Sequence, residues 1–110
     1  MYHAIVQGDG NFVVYAPGDR PIWASNTHGP SENFPYVHLT VQGDGNLVLY
    51  NPYNPGQNER PIWASNTCGR DSNPRLVLED DGNLVLLGSK FERDILWASN
   101  SSQILNQGFY

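Results

Sequence analysis

Two nine-residue stretches of this 110-residue chain carry the same polar side chains at the same offsets. Gln7-Gly8-Asp9-Gly10-Asn11-Phe12-Val13-Val14-Tyr15 recurs as Gln42-Gly43-Asp44-Gly45-Asn46-Leu47-Val48-Leu49-Tyr50. Along an extended chain, alternation puts Asn11, Val13 and Tyr15 on one face, and Asn46, Val48 and Tyr50 likewise. Gln7 or Gln42 ends the preceding strand, and Asp9 or Asp44 sits in the turn. Each stretch therefore presents one carboxylate, two amides and a phenol around one apolar side chain. Such a face donates and accepts several hydrogen bonds at once. It suits a ligand with adjacent hydroxyls and a small apolar patch, which describes a pyranose sugar. A metal would need denser oxygen ligands or clustered His and Cys, and His3, His28 and His38 do not recur at ligand spacing. Neither a metal nor a cofactor is expected. Cys68, beside Gly69, has no catalytic partner recurring nearby and reads as an incidental thiol.

A third, altered copy runs Glu79-Asp80-Asp81-Gly82-Asn83-Leu84-Val85-Leu86-Leu87. Asp81, Asn83 and Val85 persist, but Glu79 lacks the amide's donor and Leu87 lacks the phenol hydroxyl. Two working sites and a weak or dead third are therefore expected. Each copy is followed by a tryptophan segment: Trp23-Ala24-Ser25-Asn26, Trp63-Ala64-Ser65-Asn66 and Trp97-Ala98-Ser99-Asn100. The third repeat keeps this segment while its Gln and Tyr positions change. The tryptophans are thus expected in the core near a central axis, each indole N–H needing an internal partner.

The elements that must position these residues are short strands joined by turns. Val37-His38-Leu39-Thr40-Val41 alternates, and the Gly-Asp-Gly and Asp-Asp-Gly sequences turn the chain. No stretch offers an amphipathic helix, and the connections 27–35 and 51–60 read as surface loops. The motif steps by 35 residues from Gln7 to Gln42, by 37 to Glu79, and by 38 on through the C-terminus back to Gln7. One domain spanning 1–110 and closing as a three-fold cycle is expected. The tail, with Ile104, Leu105, Phe109 and Tyr110, then supplies a strand that the first repeat lacks. It does so within one molecule or by exchange in a homodimer.

Composition narrows the classes further. The net charge is −5 with one lysine, Lys90, which disfavours nucleic acid and anionic membranes. No apolar run approaches the roughly 18 residues of a membrane span. One cysteine cannot form an internal disulfide.

The pattern Gln-x-Asp-x-Asn-x-Val-x-Tyr, matched at every specified position by residues 7–15 and 42–50, resembles that of the bulb-type (monocot) mannose-binding lectins. The Trp-Ala-Ser-Asn segments and the repeat length are similar too. The resemblance implies an all-β, β-prism II fold, with three antiparallel four-stranded sheets about a pseudo-three-fold axis. It implies calcium-independent binding of terminal mannose, with mannose-containing glycans and glycoproteins as partners. Carried onto this chain, Asp9 and Asn11 would bond the axial 2-hydroxyl, Gln7 the 3-hydroxyl and Tyr15 the 4-hydroxyl. Val13 would pack on the ring carbons, and Gln42, Asp44, Asn46, Val48 and Tyr50 would repeat these roles. A sugar without the axial hydroxyl would leave desolvated groups unpaired, at about 1–3 kcal/mol each. Plant members commonly carry an intrachain disulfide that this chain cannot make. A cytoplasmic or non-classically secreted protein is therefore expected over a disulfide-bonded secretory one.

Other readings fit the residues less well. A glycosidase needs two carboxyl groups about 5–10 Å apart across one bond, and each complete motif offers one. A non-catalytic protein-interaction module on the same fold is the alternative function, but it leaves the two intact motifs unexplained. A β-propeller, the rival fold, needs about four to eight blades where this chain has three repeats.

Overall fold

Each motif opens on a hairpin whose geometry depends on its last glycine. The backbone N–H of Gly10 donates to the Gln7 carbonyl at 3.0 Å, and that of Gln7 donates to the Asn11 carbonyl at 2.8 Å. The same pair of bonds recurs at Gly45 and Gln42, and at Gly82 and Glu79. This is a three-residue loop, a turn followed by one left-handed residue. Gly10, Gly45 and Gly82 supply that residue, with φ of 86°, 95° and 93°. The computed structural model describes residues 1–29, 37–51 and 59–103. Among them nine strands form: β1 (His3–Val6), β2 (Phe12–Ala16), β3 (Arg20–Ala24), β4 (His38–Val41), β5 (Leu47–Asn51), β6 (Arg60–Ala64), β7 (Arg75–Leu78), β8 (Leu84–Leu87) and β9 (Ile95–Ala98).

The strands pair antiparallel as three meanders, β1-β2-β3, β4-β5-β6 and β7-β8-β9. The motif strand is central in each. Its inward positions, among them Val14, Leu47, Leu49, Leu84 and Leu86, are fully buried. Burying a side chain of this size contributes about 1.5–3 kcal/mol. The register slips once in every sheet, where Val14 faces Trp23 but Tyr15 faces Pro21. The extra residue, Ile22, makes a bulge, so that Ile22 and Trp23 both pack on the core, as do Ile62 and Trp63.

The expected all-β class and three antiparallel sheets are present, with three strands per sheet among the described residues rather than four. Local side-chain bonding accounts for one place where a further strand does not form. Between β6 and β7, Arg70 N–H donates to the Thr67 carbonyl at 3.2 Å and Asn73 N–H to Asp71 Oδ1 at 2.7 Å. These turns, with Pro74 after them, use the linker's backbone donors locally. The expected C-terminal strand, and most of the two expected loops, lie outside the described residues.

The tryptophans meet where the three sheets converge. Trp23, Trp63 and Trp97 contact one another edge-to-face, with centroids 5.2–5.5 Å apart and planes 70–75° apart. Their core role is as expected. Among the described residues no indole N–H bonds a protein acceptor, and all three rings are half-buried. Other links join the repeats in sequence. The Asp71 backbone closes over Gly45, Arg70 Nη1 donates to the Leu96 carbonyl at 3.2 Å, and Tyr2 lies against Gly82. The head of the chain thus packs on the turn of the third repeat.

The glycines of one turn should respond oppositely to substitution. A Cβ on Gly45 would lie 2.7 Å from the Asp71 carbonyl oxygen at φ 95°, whereas nothing lies within 4 Å of one on Gly43. Urea unfolding should show Gly45→Ala destabilised by about 1–3 kcal/mol and Gly43→Ala nearly neutral. Asp80 already occupies the position equivalent to Gly43 in the third repeat.

Candidate functional site

The motif asparagine is the most constrained polar group on each outer face. Asn11 Oδ1 accepts from the Thr27 backbone N–H at 3.2 Å and from Ser25 Oγ at 3.2 Å. Asn46 Oδ1 accepts from Thr67 N–H at 3.2 Å and Ser65 Oγ at 3.0 Å. A backbone N–H only donates, so the amide's orientation is settled: oxygen points inward and Nδ2 remains a donor. Among the described residues, no partner takes Nδ2. Asp9 Oδ1 and Asp44 Oδ1 accept the backbone N–H of Asn11 (3.0 Å) and Asn46 (2.9 Å), which fixes each exposed carboxylate in the turn beside that amide. Across the strand ends, Gln7 Nε2 donates to Tyr15 Oη and Gln42 Nε2 to Tyr50 Oη.

The structure thus gathers Gln7, Asp9, Asn11 and Tyr15 on one face, and Gln42, Asp44, Asn46 and Tyr50 on another. The valines differ from expectation. Val13 and Val48 are each only 3% exposed, because strands on both sides flank the central one. Their cross-strand partners share their face: Ile5, 45% exposed, beside Val13, and Thr40 beside Val48. Apolar contact area on the first face is therefore carried by Ile5 more than by the motif valine.

Two sets of residues went unrecognised in the sequence. The first is the Ser and Thr after each tryptophan. Ser25 Oγ also accepts the Phe12 N–H at 3.0 Å and meets Thr27 Oγ1 at 2.7 Å, while Thr27 Oγ1 donates to the Gly10 carbonyl. Ser65 with Thr67, and Ser99 with Ser101, repeat the arrangement. Asn26, Asn66 and Asn100 turn the chain there with φ of 56–61°, a left-handed conformation that Asn tolerates. The segment therefore serves core and face together. Its signal was the recurrence of a hydroxyl two residues beyond each Ser. The second set is His3 and His38, set aside as metal ligands. They are the cross-strand partners of Tyr15 and Tyr50, with ring centroids 5.0 and 5.8 Å away. Their identical 35-residue step was the readable signal.

The third face keeps the frame and changes the side chains around it. Asn83 Oδ1 is held by Ser99 and Ser101 as before. Glu79, in the glutamine position, instead receives a two-pronged bond from Arg93, at 2.7 and 3.0 Å. Val85 and Leu87 are buried. Asp81 is half-buried, and its carboxyl is held below the usual range by the Asn83 N–H first, then by the Ser102 hydroxyl and the Arg93 charge. Cys68 Sγ donates to Asp44 Oδ2 at 3.4 Å, and this bond with the carboxylate's charge pushes the exposed thiol's pKa up, away from nucleophilic reactivity.

Three meanders about a tryptophan axis, each with an outward amide–carboxylate face, define a three-sided β-prism as the class of molecule. Comparison with known proteins is in agreement. The profile of the D-mannose binding lectin family matches residues 21–104, and the chain belongs to that family. A monomeric monocot mannose-binding lectin from Gastrodia elata shares 36% identity and a TM-score of 0.74, covering 92% of this chain and 81% of that one. The mannose-specific agglutinin of snowdrop (Galanthus nivalis) bulbs, solved with methyl-α-D-mannoside, shares 41% identity, TM-score 0.66, over 83% and 75%. The Polygonatum cyrtonema lectin, solved with a monomannoside, shares 37%, TM-score 0.64, over 94% and 81%. No curated protein matches by sequence. The fold is the β-prism II of bulb lectins.

The second face has a brace with a pH signature. Asp71, whose backbone closes over Gly45, accepts bonds from the Ser89 and Asn73 N–H groups and the Ser89 hydroxyl. The Ser89 N–H first, then that of Asn73, hold its carboxyl below the usual range. A depressed folded pKa stabilises fully above the unfolded value, about 3.9, and its contribution fades as pH falls through the folded value. Urea midpoints should place Asp71→Asn below wild type at pH 7, with the gap closing below about pH 4.

Proposed function

We propose that this chain is a calcium-independent lectin that binds terminal mannose through two faces, Gln7 to Tyr15 and Gln42 to Tyr50, and performs no catalysis. One observation carries this reading. In both complete motifs an asparagine amide is locked with its donor outward, next to an acceptor carboxylate, with a Gln–Tyr pair at the far edge. Donor and acceptor side by side match a hydroxyl, which needs both. Mannose is the sugar named for the family, and mannosides occupy the snowdrop and Polygonatum structures. In this assignment Asp9 with Asn11, and Asp44 with Asn46, take the axial 2-hydroxyl. Gln7 and Gln42 take the 3-hydroxyl, and Tyr15 and Tyr50 the 4-hydroxyl. Val13 and Val48 offer the ring only a sliver of surface, and Ile5 adds apolar contact on the first face.

Recognition by amide, phenol and one carboxylate needs no metal bridge, which is the basis for the calcium-free assignment. Catalysis is not assigned because each complete motif brings a single carboxylate to the sugar. Shallow sites of this kind bind weakly, about 1 mM corresponding to roughly −4 kcal/mol. Mannose-bearing glycans and glycoproteins are then held by avidity, from two sites per chain and from a homodimer.

Titration calorimetry with methyl α-mannoside should give two sites per chain, unaffected by chelator, and Asn11→Ala with Asn46→Ala should abolish the heat. Unchanged binding in that double variant would overturn the assignment. The third face is silent here because Glu79 is engaged by Arg93 and no phenol is present. Restoring it with Glu79→Gln, Leu87→Tyr and Arg93→Ala should raise the stoichiometry from two to three.

A further inference from the structure

The histidines opposite the tyrosines track the binding face, and the repeats themselves provide the control. Where the motif ends in tyrosine, the residue across the strand is histidine: His3 faces Tyr15 and His38 faces Tyr50. Where the tyrosine becomes Leu87, the residue across is Arg75. The tryptophan segment survives that change, whereas the histidine is lost together with the phenol and the glutamine. The rings stack at Tyr15 and lie tilted at Tyr50. His3 lies 23° from the Tyr15 plane with centroids 5.0 Å apart, and His38 lies 34° from that of Tyr50 at 5.8 Å. His38 Nε2 also sits 3.1 Å from Glu59 Oε1 at the entry to β6.

A tyrosine on an outer sheet face is free to swing about its first side-chain torsion. Among the described residues the Tyr50 hydroxyl is held by Gln42, while the ring itself is half-buried. A second ring packed against the phenol limits that swing and holds the oxygen where Gln42 meets it. We propose that His3 and His38 are positioning residues of the two sites, each clamping the phenol of its tyrosine in the ligand-binding orientation by ring contact. This rests on the assignment of those faces to mannose, and extends each site by one residue on the neighbouring strand.

The test uses the full chain carrying Asn11→Ala, so that only the second site reports, and measures methyl α-mannoside affinity by titration. His38→Ala should weaken binding about three- to tenfold, the range of one aromatic pair. His38→Phe, which keeps a flat ring, should bind within about twofold of the parent. In a Tyr50→Phe background, which lacks the hydroxyl to be positioned, His38→Ala should cost nothing further. Arg75→Ala, at the equivalent place on the third sheet, should leave binding unchanged. Thermal melting confirms that each variant folds. Equal affinity of His38→Ala and the parent, or a His38→Phe as weak as His38→Ala, would overturn the clamp while leaving the mannose assignment standing. A parent that binds no mannoside would overturn the assignment and the clamp together.

Discussion

Mutual contact among three indoles is the constraint on which the rest of this molecule depends. No single meander can bury both its inward aliphatic row and a tryptophan, since three strands have too little area to cover them. Placed around an axis, each tryptophan meets the other two edge-to-face, and the arrangement closes only when all three are present. Edge-to-face pairs contribute about 0.5–1.5 kcal/mol each beyond area burial. The bulge in every sheet serves this closure by turning two consecutive residues, such as Ile22 and Trp23, toward the core.

The same constraint reaches the surface through three residues of chain. Once Trp23 is fixed, Ser25 and Thr27 are fixed on either side of a left-handed Asn26. Their hydrogen bonds then set the Asn11 amide. Core and face are therefore two ends of one short lever, repeated three times. This also explains why the third repeat keeps a correct asparagine in a face that has lost its glutamine and tyrosine. Asn83 is held by Ser99 and Ser101 for the sake of the frame, whatever happens at Glu79 and Leu87.

Much of this was legible because repetition separates the roles of residues. The hairpins, the inward leucines and the three-fold count follow from alternation and a step of 35 to 38 residues. The two intact faces and the altered third follow from comparing Gln42 with Glu79 and Tyr50 with Leu87. What escaped was whatever depends on contacts across strands. That His38 lies against Tyr50 follows from register, which eleven intervening positions do not display. That Ser65 orients Asn46 follows from a turn nineteen residues away. The burial of Val13 and Val48 depends on flanking strands that alternation alone does not weigh. Four strands per sheet were anticipated from resemblance, whereas the Asx turn at Asp71 shows how local bonding ends a run of chain.

The inward pull on the asparagine carbonyl also determines what each face refuses. With its oxygen engaged, Asn11 offers only hydrogen, and the neighbouring Asp9 carboxylate takes only hydrogen. An ether or a carbonyl satisfies one of the two and strands the other. Water satisfies both and is present at about 55 M in any dilute solution. Selectivity at such a face is thus a swap of one amphoteric oxygen for another of the same polarity. The incoming hydroxyl gains little from the bonds themselves and must prevail through the entropy of the released water and the rigidity of the frame that receives it.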